Sequence, residues 1–125
     1  LKIETFPYYF AIAKIRNPAS INWKSPFVFV GKTDDELSLV ALESEVPSDA
    51  YPVDRGYRMM RVAGTLDMSL TGILARISKV LADEEIPIFA VSTYNTDYIL
   101  VKSHTFRNAI QALSRAGYLV SNEIS

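Results

Sequence analysis

Asp67-Met68-Ser69-Leu70-Thr71-Gly72 and Ser92-Thr93-Tyr94-Asn95-Thr96-Asp97 hold the polar groups best suited to chemistry in this chain. The first run precedes an apolar helical stripe. Asp67 or Ser69 can cap a helix start there by accepting hydrogen bonds from free backbone N–H groups. The same helix start, with unpaired N–H groups and a partial positive charge, also suits a free carboxylate. Gly72 lets a ligand or a neighbouring backbone come close. The second run supplies hydroxyls at Thr93 and Thr96, an amide at Asn95, a flat ring at Tyr94 and one formal charge at Asp97. Asp97 can accept hydrogen bonds from an ammonium or guanidinium group. Each run also has a plain structural explanation, a capped helix start in one case and a hairpin turn at Asn95-Thr96 in the other. Both readings stay open from the residues alone.

No nucleophile–base constellation accompanies these groups. An enzyme would have to assemble an acid/base set from Asp67, Asp97 and Tyr94. His104 is the only histidine and there is no cysteine. That excludes multi-His and thiolate metal sites, thiolate catalysis and disulfides. No Gly-rich phosphate loop and no Ser-centred nucleophile elbow is present. The expectation is a non-enzyme with no catalytic residue, no metal and no cofactor.

The elements that must carry the two runs follow from patterning. Tyr8 to Arg16 reads as a strand that Asn17-Pro18 breaks. One helical turn is expected near Ser20 to Lys24. Phe27–Val30 and Leu37–Leu42 read as a hairpin across Lys32-Thr33-Asp34-Asp35. Glu43 to Pro47 offers at most a helical turn. Ser48 to Gly56, with Pro52 and Gly56, is the candidate boundary, and Tyr57 to Leu66 follows as a strand. Leu70 to Glu84 is the clearest helix, with Leu70, Ile73, Leu74, Ile77, Val80 and Leu81 on one face. Ile88 to Val91 reads as a buried central strand and Tyr98 to Val101 as its neighbour. Ser103 is placed to cap a second helix that ends at Gly117, and Tyr118 to Val120 is a last short strand. From Tyr57 onward the order strand, helix, strand, strand, helix, strand gives an α+β, ferredoxin-like antiparallel sheet with both helices on one face. The first half is expected to be a shortened copy of the same unit, on element order alone.

A chain of 125 residues, 49% hydrophobic, holds one ordinary domain or two very small ones. A net charge of −1 gives no basic face for nucleic acid or for an anionic membrane surface. No apolar run approaches the roughly 20 residues of a membrane-spanning helix. Leu1-Lys2-Ile3-Glu4-Thr5 lacks the order of a signal peptide. A soluble cytoplasmic protein is expected.

Gly56 to about Val120 resembles an ACT domain. The residues that carry the likeness are Tyr57-Arg58-Met59-Met60-Arg61-Val62-Ala63-Gly64, Ser69-Leu70-Thr71-Gly72-Ile73-Leu74 and the run from Ile86 to Val101. Asp34-Asp35-Glu36-Leu37-Ser38-Leu39-Val40 resembles the companion half of small tandem-ACT proteins, of the subgroup that includes cytosolic amino-acid sensors. The resemblance implies two tandem ACT-like units, a shortened one over 1–55 and a full one over 56–125. It implies side-by-side pairing, often in a homodimer, and a free amino acid bound where two units meet. By position, Asp67, Ser69, Leu70, Thr71 and Gly72 would contact the ligand backbone. Thr93, Tyr94, Asn95 and Asp97 would contact its polar groups or the opposing unit. With no room for an attached enzyme in these residues, the protein would act as a sensor or regulate a separate partner. The alternative is an interaction module that dimerises through ACT-like sheets without a small ligand.

Overall fold

The computed structural model describes residues 2–63 and 71–121. The chain divides into two compact units, Tyr8–Tyr57 and a second made of Leu1–Pro7 with Arg58–Ser125.

The Tyr8–Tyr57 unit is built on β2 (Phe10–Lys14), β3 (Val28–Lys32), β4 (Leu37–Leu42) and the start of β5 (Val53–Ala63); β1 (Lys2–Thr5) belongs to the other unit. Its strand order is β3-β4-β2-β5, all antiparallel. This is the ferredoxin-like order, but single three-residue 3-10 turns, Pro18–Ser20 and Glu43–Glu45, stand where the two helices would be. The sequence explains how so little cover suffices. Leu37, Leu39 and Ala41 alternate on one face of β4, and they gather with Ile15, Ile21, Val28 and Ala50 into a small core.

A register shift between Phe10 and Ile12 marks a bulge where β2 meets β5. Gly56 lies there with φ +82, the left-handed region that favours glycine. Its freed N–H donates to Glu43 Oε2 at 2.6 Å. Gly56 is thus a bend inside a strand, and the segment expected as a boundary is strand from Val53 onward. Beside it, the Tyr57 hydroxyl donates to Asp54 Oδ2 at 2.8 Å. Burial, with that bonded carboxylate adding, pushes the Tyr57 phenol up to about 12. A phenol raised in the folded state stabilises fully below its unfolded value near 10, and that contribution is lost as pH climbs through about 12. Following tyrosinate absorbance against pH should therefore show one late-titrating tyrosine, and Asp54→Asn should bring it earlier. A Tyr57→Phe variant with an unchanged titration curve would contradict the assignment.

The other unit contains β1, the rest of β5, α1 (Ile73–Asp83), β6 (Phe89–Ser92), β7 (Asp97–Lys102), α2 (Ser103–Arg115) and β8 (Leu119–Val120). Its strand order is β6-β7-β5-β1-β8. The expected order is present with one insertion, because β1 takes the place beside β5 and pairs antiparallel with it, Lys2↔Ala63 to Thr5↔Met60. β8 pairs instead with β1, in parallel, which makes the sheet mixed rather than wholly antiparallel. Ser121 N–H donates to Ile3 O and Thr5 N–H to Ser121 Oγ, which fastens this edge.

Ile73, Ile77 and Leu81 of α1 and Ala109 and Leu113 of α2 are buried against Ile3, Met60, Val62, Ile99 and Val101. The strand residues alternate, so both helices cover one face. Two sequence expectations shift. β6 pairs with β7 and forms an edge, with Ala90 exposed, rather than a central strand. Ser103 is the first residue of α2 rather than its cap, Lys102 holding the cap position without a side-chain capping bond.

Candidate functional site

α1 begins later than its apolar stripe suggests. Leu70 extends the periodicity, yet the cap position is Gly72, at φ 74 and ψ 11. Among the described residues, no side chain caps the helix. The Arg76 guanidinium lies over this point, and a Cβ on Gly72 would meet Arg76 Nη1 at 3.1 Å. Glycine is favoured here by the left-handed turn, whereas the exposed Arg76 tip could yield the few tenths of an ångström that a Cβ needs. Thr71 and Gly72 are exposed. Asp67, Ser69 and Leu70 lie outside the described residues.

The second polar run is a tight hairpin turn. Ser92 faces Asp97 at its base, and Thr93 N–H donates to Thr96 O at 2.9 Å. Thr93 Oγ1 donates to Thr96 O at 3.0 Å, and Ser92 Oγ donates to Asp97 Oδ1 at 2.6 Å. Asn95 is exposed and Tyr94 stands 90% exposed at the tip. The Thr96 hydroxyl donates to Val62 O at 2.8 Å, tying the turn to the end of β5. β5 then leads toward α1, so the described part of both runs belongs to one unit. Of the predicted ligand residues, Thr93 and Asp97 spend bonds on the turn itself, while Tyr94, Asn95, Thr71 and Gly72 face solvent.

The sequence reading passed over Arg61, a neighbour of this turn. Its guanidinium donates to Glu4 Oε1 at 2.8 Å and to the Tyr98 hydroxyl at 3.5 Å. It also lies over the rings of Phe6 and Tyr98, 4.8 and 5.8 Å from their centroids. Burial opposes its charge, but the bonds to Tyr98 and Glu4 outweigh that and the net shift is upward. Arg61 is a permanent cation already satisfied by the fold. The alternation Lys2-Ile3-Glu4-Thr5, with a carboxylate on the face opposite Ile3, is too short a pattern to mark this pairing in the sequence.

The hairpin has a counterpart in the Tyr8–Tyr57 unit. Lys32↔Leu37 and Phe29↔Val40 match Ser92↔Asp97 and Phe89↔Leu100 in register. Thr33 N–H donates to Glu36 O at 2.9 Å, as Thr93 does to Thr96 O. The shared Phe and Thr positions were visible in the sequence, though masked by the different tips Asp34-Asp35 and Tyr94-Asn95.

The ACT domain family matches residues 53–115, from the first residue of β5 to the last of α2. The chain belongs to the ACT-domain family. No curated protein matches this ACT protein in sequence. Among solved structures it is similar to the Agobacterium tumefaciens protein Atu0741, with 30% identity over 99% of this chain and 93% of that one, TM-score 0.88. It shares its fold with the regulatory subunit of aspartate kinase from Thermus thermophilus in its ligand-free form, at 11% identity, covering 94% and 97% of the two chains, TM-score 0.64. It is also similar to aspartate kinase from Synechocystis, at 19% identity over 99% of this chain and 28% of the enzyme, TM-score 0.72. Among the described residues of the ACT protein, no group of three or more His, Cys, Asp or Glu side chains is placed to hold a metal ion. No described helix is long and apolar enough to cross a membrane.

Proposed function

We propose that this ACT protein is a non-catalytic regulator or sensor that binds a free amino acid at an interface between ACT units. The uncapped start of α1 carries the reading. Among the described residues no side chain caps its first turn, the Arg76 guanidinium lies over Gly72, and both the helix end and that cation favour a carboxylate. Asp67, Ser69, Leu70, Thr71 and Gly72 would hold the ligand backbone, and Thr93, Tyr94, Asn95 and Asp97 its polar groups or the opposing unit. A second copy of the chain in a homodimer supplies that unit. The chain is read as two tandem ACT-like units, 1–55 and 56–125, and the matching hairpin registers support the duplication. The protein works in the cytoplasm and acts on a separate protein. The fold shared with a regulatory subunit of aspartate kinase favours this role by analogy of fold.

Binding would stabilise one arrangement of the paired units and so shift a population that the partner reads. A thermal-shift screen against the common amino acids, followed by calorimetric titration, tests this. At least one amino acid should raise the melting temperature, with a stabilisation of about 2.7 kcal/mol once its concentration reaches about a hundred times Kd. Asp97→Ala should weaken basic amino acids more than neutral ones. A melting temperature indifferent to every amino acid would remove the proposal. The self-sufficient bonding of the Thr93–Thr96 turn favours a second reading, an interaction module that dimerises through its sheets with no small ligand. A stable dimer with no thermal response would select it.

A further inference from the structure

A cavity of about 300 Å³ opens on the helix layer of the unit containing α1, away from the polar turn at Thr93–Thr96. Arg76, Lys79, Val80 and Asp83 line one side of it, and Ala116 and Tyr118 the other. The four α1 residues recur at the spacing of one helical face. The other wall comes from the end of α2, where Gly117 at φ +100 turns the chain back and Tyr118 N–H donates to Leu113 O. Val80 and Tyr118 are half-buried on the main core, so the floor is apolar and braced.

The rim is unevenly charged. Lys79 Nζ is held by both oxygens of Asp83, at 3.2 and 3.1 Å, and these two charges offset each other. Among the described residues Arg76 has no ion pair, and its guanidinium, which lies against Gly72, also lines the apolar recess. A guanidinium grips a carboxylate through two parallel bonds. The volume suits a compact molecule. We infer that this cavity binds a small carboxylate carrying an aromatic body, with the carboxylate on Arg76 and the ring over Val80, Ala116 and Tyr118. Nothing in the recess rewards an ammonium group, because Asp83 is spent on Lys79. The inference stands on the cavity; it shares Arg76 with the start of α1, whereas Ala116 and Tyr118 belong to the cavity alone.

The test titrates the full chain, labelled for amide NMR, with 3-phenylpropionate and in parallel with 3-phenylpropylamine and phenylalanine. The acid should shift the amides of residues 76–83 and 116–118, and the amine should leave them in place. Phenylalanine should bind these residues more weakly than the acid. Arg76→Leu should weaken the acid by about tenfold or more, and Arg76→Lys by less. Tyr118→Ala gives a second variant on the opposite wall and should weaken it as well. Equal response to acid and amine, an undiminished Arg76→Leu, shifts confined to other residues, or no shift at millimolar acid would each overturn the inference. Phenylalanine acting only near Gly72 would support the α1-start site without touching this one.

Discussion

Ile77→Ala will lower the unfolding free energy by about 2 to 5 kcal/mol, the cost of deleting a fully buried branched side chain and leaving a cavity. Ile77 is 0% exposed at the centre of α1 and faces a core shared by β1, β5, β7 and α2. An isolated helix of this length is marginal in water, so α1 exists because its apolar stripe is buried. The loss is large against a total stability of about 5–15 kcal/mol for an ordinary domain. Urea unfolding should show a lower midpoint with the slope unchanged. Ala75→Ser on the exposed face of the same helix should stay within about 0.5 kcal/mol. A cost for Ile77→Ala no greater than that control would mean the helix is not held by this face.

Arg58→Met will cost about 3 kcal/mol, although it exchanges a charge for an apolar side chain of comparable length. Arg58 is only 5% exposed. Its Nη2 donates to Phe6 O at 2.7 Å, and its guanidinium lies 4.2 Å from the centroid of the Phe106 ring. Hydrogen bonds from charged groups contribute about 1.5–3 kcal/mol, and a desolvated cation over a ring about 2. The two overlap, so they do not sum. Methionine fills the space but leaves the Phe6 carbonyl without this donor. Because Phe6 directly follows β1, amide exchange should quicken along Lys2–Thr5. Arg61→Met is the comparison: its ion pair with Glu4 is roughly one-third exposed on both sides and should cost about 1 kcal/mol or less. Equal losses at the two arginines would show that burial of Arg58 has no special weight.

Local patterning carried much of this architecture. Leu37–Leu42 was read to the residue because its alternation is strict and its neighbour is a hairpin partner. The α1 and α2 stripes were legible for the same reason, with short-range period and strong contrast. β1 was not, since four residues hold too little pattern and its partners, Met60 to Ala63, are distant in sequence. Gly56 and Gly72 misled in opposite ways. One reads as a break and is a bulge inside β5; the other sits inside an apparent helical run and delays its start to Ile73. In both cases a positive φ, invisible to hydrophobic periodicity, decided the outcome. Arg58 was legible as a charge but not as a buried one, because burial depends on Phe6 and Phe106 arriving from far along the chain. For the candidate site, the turn chemistry of Thr93–Thr96 was readable, whereas the tie from Thr96 to Val62 was not.

The interleaving of the two units has a consequence for biosynthesis. On the ribosome β1 emerges before its antiparallel partner, which is made only after the whole of Tyr8–Tyr57. The intervening unit can close its own sheet while Lys2–Thr5 waits as a lone strand. Parallel pairing to β8 comes later still, after α2 has been made. β1 is thus made before Tyr8–Tyr57 but secured after it, and nascent chains halted before Arg58 would display an unmatched strand that a chaperone must shield.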